Sequence, residues 1–118
     1  MKELKLENTE CFIKINGKRY SFEPDNTVVI ESMEKFRTAM AEFEKESANA
    51  NTGTIKKFCN VCIDTVEDLF GKDSVKDIFG DKANFDKCFK CAMFILKEYS
   101  EYWESKRAEY KEIADAGV

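Results

Sequence analysis

Residues 11–22 read CFIKINGKRYSF, and the Asn16-Gly17 step at their centre restricts the fold more than any other feature. Asn and Gly tolerate the positive φ values that a two-residue hairpin turn requires. A turn centred there pairs Ile15 with Lys18, Ile13 with Tyr20 and Cys11 with Phe22. Side chains alternate along a strand, so Ile13, Ile15, Tyr20 and Phe22 share one face, and Lys14, Arg19 and Ser21 the other. A lone two-stranded hairpin is marginal in water, so its apolar face must lie on something. Pro24, the single proline, closes the second strand and bounds a hairpin over 11–23.

After Pro24 the apolar period changes from that of a strand to that of a helix. Val29, Met33, Phe36, Met40 and Phe43 recur at steps of 4, 3, 4 and 3, which predicts a helix over 27–47 capped by Asn26 or Thr27. SANANTGT, 47–54, is small and polar and reads as a flexible connection. Ile55, Phe58, Cys59, Cys62, Val66, Leu69 and Phe70 form the stripe of a second helix, over 55–70, stopped by Gly71 in the left-handed conformation. A short helix over 74–79 stops at Gly80 in the same way. The last helix, over 84–114, starts at Asn84 with an apolar half and continues into a charged one.

The resulting expectation is an α+β fold in one domain: an antiparallel hairpin followed by a mainly helical bundle of three main helices and one short one. About thirty residues of last helix span roughly 45 Å. A domain of this length has an expected radius of gyration of about 13 Å. The outer half of that helix is therefore expected to overhang, or to pack on a partner or a second copy.

Composition excludes several function classes. With 118 residues and 43% apolar content the chain can bury a core without staples. Net charge is −4, with Lys and Arg scattered among acids, so no basic stripe awaits nucleic acid or anionic lipid. The longest strictly apolar run, Cys91 to Leu96, is too short for a bilayer. MKELKLENTE has no apolar signal-peptide core, so a cytoplasmic location is expected. There is no histidine, which removes the commonest general base and every Cys/His zinc site.

CNVC at 59–62 and CFKC at 88–91 together have the composition of a four-cysteine zinc site: Cys59, Cys62, Cys88 and Cys91. Such pairs usually sit on tight turns with Gly or Pro nearby. Here both lie inside helical patterns, on the apolar stripe. A reduced Cys behaves as a small hydrophobe, so the thiols are read as core, with the zinc site as the alternative. A redox pair lacks its strand-turn-helix setting. Five cysteines, an odd number, also argue against a full disulfide framework.

No catalytic or cofactor-binding residue stands out. The Glu and Asp pairs, Glu98 with Glu101 among them, lie on charged helix faces. The Gly-Lys steps at 17–18 and 71–72 lack the spaced glycines of a phosphate loop. Two apolar stripes are candidate protein contacts: Val29, Met33, Phe36, Met40 and Phe43, and the aromatic run Tyr99, Tyr102, Trp103 and Tyr110. Aromatic residues are enriched where proteins meet.

The order of FIKINGKRYSFEP, a helix, VEDLFGKDSVKDIFGDKANFD and a long helix carrying EYSEYWESKRAEY resembles small tail-module proteins of Gram-positive phages and prophages. Those proteins look like tail-assembly chaperones. The resemblance covers most of the chain and rests chiefly on the LFG…IFG linker. It implies a non-enzymatic protein that coats the helical tape-measure protein and recruits tail-tube subunits. The cysteine pairs are not part of that pattern. A virion structural or tail-completion component, or a small four-cysteine zinc regulatory module, are the alternatives.

Overall fold

The computed structural model describes residues 1–46, 48 and 51–117. It contains β1 (Cys11–Ile15), β2 (Lys18–Phe22), α1 (Thr27–Glu46), α2 (Thr52–Phe70), α3 (Lys72–Phe79) and α4 (Phe85–Ala116). The fold is α+β, a two-stranded antiparallel hairpin followed by helices, as the sequence leads one to expect.

The hairpin has the register that the turn dictates: Cys11 opposite Phe22, Ile13 opposite Tyr20, Ile15 opposite Lys18. Asn16 and Gly17 take φ values of 53° and 80°, the doubly positive combination of the favoured hairpin turn. Ile13 and Phe22 are buried, while Phe12, Lys14 and Arg19 on the other face are exposed.

Local chemistry starts each main helix. Asn26 Oδ1 accepts from the Val28 amide at 2.9 Å, so Asn26 and not Thr27 supplies the cap of α1. Asn84 Oδ1 accepts from Lys87 N at 2.9 Å and starts α4. Asn51 does the same for α2, accepting from Thr54 N at 3.0 Å. That cap corrects the expected polar connection: Thr52 to Thr54 are helical, because one Asn oxygen satisfies an amide that the first turn leaves open. Ser47, Asn49 and Ala50, which belong to the same expected connection, lie outside the described residues. Gly71 ends α2 and begins α3 with φ 94° and ψ 166°. Its φ is positive, as expected of a glycine stop, but its ψ is extended and not left-handed helical. Gly80 departs in the same way, with φ 71° and ψ −151°.

α2 is the central element, packing on α1, α3, α4 and β2, while β1 lies against α4. Phe58 of α2 is the hub of an aromatic cluster. Its ring centroid lies 6.1 Å from Phe36, 4.9 Å from Phe43, 5.6 Å from Phe85 and 6.3 Å from Phe89. Phe70 at the end of α2 meets Tyr20 at 5.1 Å and Phe22 at 6.1 Å, which seats the hairpin. The same helix therefore receives α1 on one side and the hairpin on another.

α4 outruns this body. Its 32 residues amount to about 48 Å of helix, and the molecule measures 61 × 31 × 19 Å with a radius of gyration of 17.1 Å. From Glu104 onward the described residues are exposed, except half-buried Lys106. No helix among the described residues is long and apolar enough to cross a membrane.

Candidate functional site: a groove between the first and last helices

Where α4 leaves the body it runs beside α1, and the two leave a groove of about 730 Å³. Tyr99, Trp103 and Tyr110 recur on one face of α4 and line it together with Arg37 of α1 and Arg107 of α4. The Arg37 guanidinium lies 5.6 Å from the centre of the Tyr99 ring and donates to Ser100 Oγ at 3.2 Å. That contact holds a cation over an aromatic face. Trp103 sits edge-on to Tyr99 at 6.4 Å and to Tyr102 at 5.4 Å. Its indole Nε1–H is shielded from solvent and has no acceptor, an uncommon condition for a buried donor.

Tyr102 is not among the residues that line this groove; it lies beside the N-terminal segment. It lines a separate surface with Glu7, Thr9, Glu98 and Lys106. Thr9 itself donates to Asp25 Oδ1 at 2.6 Å. Burial pushes the Tyr102 phenol up to about 12, and the nearby Tyr110 hydroxyl adds to the effect.

The two stripes read from the sequence thus have different fates. Tyr99, Trp103 and Tyr110 come together in the groove, with Tyr99 buried at its inner end and Tyr110 44% exposed. The stripe on α1 does not offer a surface. Val29, Met33 and Phe36 are 6%, 1% and 0% exposed, and Met40 and Phe43 pack half-buried on the same core. Within this chain α2 covers that face of α1, and Phe36 and Phe43 pack on Phe58. Sequence reasoning missed Arg37 and Arg107, whose setting among charged residues reads as solvated surface. Arg37 falls at the register that faces Tyr99 only once α1 and α4 are packed.

The cysteine pairs do meet. Cys62 and Cys88 are fully buried between α2 and α4, and Cys59 and Cys91 are half-buried beside them. Burial pushes the Cys62 thiol far up, and Cys88, Cys59 and Cys91 reinforce the effect. Burial also raises Cys88, with Cys59 next to it adding to the shift, and lifts Cys91 to about 11. Thiols held protonated in this way are weak nucleophiles. Among the described residues no group of three or more Cys, Asp or Glu side chains is placed to hold a metal ion.

A model of a family of unknown function (DUF6673) matches residues 16–115. No curated protein and no solved structure matches the chain.

Proposed function

The chain belongs to the DUF6673 family, whose function is unknown, and on that premise we propose that it is a non-catalytic protein-binding factor. Its α1/α4 groove holds a helical segment of another protein. The observation that carries this reading is the composition of the groove: Trp103, Tyr99 and Tyr110 with Arg37 and Arg107. Trp, Tyr and Arg are the residue types that dominate binding energy at protein interfaces. A helix laid in the groove would find aromatic faces for its apolar side and two guanidinium groups for its acids. The unpartnered Trp103 Nε1–H is a donor that an incoming acceptor would satisfy.

The resemblance to tail-assembly chaperones supplies the partner class: a phage tape-measure or tail-tube protein, bound in the cytoplasm of the bacterial host before the tail assembles. A net charge of −4 favours a protein partner over nucleic acid or a membrane surface. The absence of histidine and the protonated thiols favour a binding role over a catalytic one.

The test is co-expression of the full chain with the tape-measure and tail-tube proteins of the same genome. Affinity capture should recover one of them in fixed stoichiometry. Trp103→Ala combined with Arg107→Glu should release it without lowering the melting temperature much. Recovery of neither protein, or recovery indifferent to both substitutions, would reject the reading.

A further inference from the structure

Away from the α1/α4 groove, the hairpin tip, the end of α3 and the first turns of α4 line a cavity of about 300 Å³. Its apolar lining includes Ile15, buried Phe79 and the 40% exposed Phe94; Lys14, Lys87 and Lys90 line it as well. One acid, Asp86, belongs to the same lining and pairs with Lys90 at 3.2 Å. Lys87 Nζ donates to the Phe79 carbonyl at 3.2 Å, which fixes its ammonium there. On a chain of net charge −4 this is a locally basic, partly apolar socket.

The far end of α4 has the complementary character. Tyr110 and Ile113 lie three residues apart on one face and are 44% and 63% exposed. Glu109, Lys111, Glu112 and Asp115 flank them; Glu109 is paired with Lys106 at 2.9 Å, so Glu112 and Asp115 against Lys111 leave this end weakly acidic. The last turn of α4 holds no basic residue, although the negative end of a helix dipole favours one there. A weakly acidic helix end with an uncovered apolar knob therefore meets a basic socket with an apolar lining.

The knob of one chain cannot reach its own socket. Phe94 and Ile113 are on one continuous helix, 19 residues apart, which is roughly 28 Å of rigid rise. We propose that the C-terminal end of α4, through Tyr110 and Ile113, docks into the Lys14–Lys87–Lys90 socket of a second copy. The contact joins two different patches, so it closes reciprocally in a two-fold dimer, propagates head to tail into a chain, or closes as a larger ring. The lysines supply the positive charge that the helix end lacks, and Ile113 meets the apolar lining. The patch is small, so association is weak, reversible and sensitive to salt.

Sedimentation velocity of the full chain at rising concentration tests this. Average mass should climb steadily in low salt and fall back as salt is raised. Tyr110→Ala with Ile113→Ala removes the knob, and Lys14→Glu with Lys90→Glu reverses the socket. All four positions are exposed, and circular dichroism with thermal melts should show both variants folded. Each variant alone should associate roughly tenfold more weakly than the wild type. An equimolar mixture keeps one intact knob and one intact socket, so it should form 1:1 dimers and nothing larger. A wild-type chain that stays monomeric throughout overturns the proposal. So does a mixture that stays monomeric while the wild type associates, because that pattern belongs to a contact other than knob on socket. Variants that associate like the wild type overturn it as well. The groove substitutions at Trp103 and Arg107 leave knob and socket intact, so the two proposals fail separately.

Discussion

The Asn16 side-chain amide donates to the Ile78 carbonyl at 3.1 Å, linking residues 62 apart in sequence. One residue therefore supplies the positive φ of the hairpin turn and fastens the hairpin tip to the end of α3. Lys18 adds an ion pair to Asp77 at 2.7 Å, though both partners are largely exposed and the pair contributes little. Asn16→Gly keeps the turn and removes the tether. It should cost about 1 kcal/mol, the usual net worth of one such bond. Asn16→Ala should cost more, because alanine also strains at φ 53°. Urea melts of the two variants test the order. Equal costs would mean that the turn geometry carries no strain.

Phe58 of α2 meets four other rings, Phe36 and Phe43 of α1 and Phe85 and Phe89 of α4. It is 2% exposed. Phe58→Ala should lower stability by about 3–5 kcal/mol through lost burial and the cavity left behind. Val28→Ala, at a position 54% exposed on the outer face of α1, should stay within about 0.5 kcal/mol of wild type. Denaturant midpoints compare the two directly.

Gly71→Ala isolates backbone strain from packing. A Cβ at Gly71 would meet nothing within 4 Å, so no clash is created. The φ of 94° with ψ of 166° is nonetheless a region that only glycine occupies readily. The expected loss is about 1–3 kcal/mol, without change in the far-ultraviolet spectrum of the folded state. An Ala variant as stable as the wild type would show that the α2–α3 junction relaxes.

The buried thiols make stability depend on pH in a stated direction. Below their ordinary value of 9.0 they are protonated in both folded and unfolded chains and the contribution is constant. As pH rises from about 9 toward 11, the unfolded chain releases these protons. Folded Cys91, lifted to about 11, holds its own, and Cys62 and Cys88 are raised further by burial. Unfolding is thereby favoured, and stability falls across that window. A Cys62→Ala, Cys88→Ala, Cys91→Ala variant should lose less stability than the wild type between the same two pH values. At neutral pH a chelator should leave the melting temperature unchanged. Cys62→Ser should cost more than Cys62→Ala, since the hydroxyl would be buried without a partner.

Truncation after Glu104 should leave a cooperatively folding body. Residues 105–117 are exposed apart from half-buried Lys106, and none of them belongs to the core around Phe58. The truncated chain should melt within a few degrees of the full one. A large loss would place part of the stability in contacts of the outer half of α4, such as Tyr110 in its groove.

One part of this fold is decided by nearest neighbours along the chain. The Asn16-Gly17 turn and its register, the caps at Asn26 and Asn84, the stops at Gly71 and Gly80 and the excess length of α4 all follow from residues a few positions apart. Their physics is local: a φ value, an open amide, a rise per residue. Tertiary structure decided which apolar stripe is covered. Val29–Phe43 and Tyr99–Tyr110 have the same helical period, and periodicity states that a face is apolar without stating what lies on it. α2 covers the first; of the second, Tyr99 is buried, Trp103 packs against the core and Tyr110 stands 44% exposed. The same packing brings Arg37 onto Tyr99, sets Cys62 beside Cys88, and gathers Lys14, Lys87 and Lys90 around one cavity. Those juxtapositions join residues from separate elements, and only the way the helices stack on Phe58 and Phe70 brings them within reach.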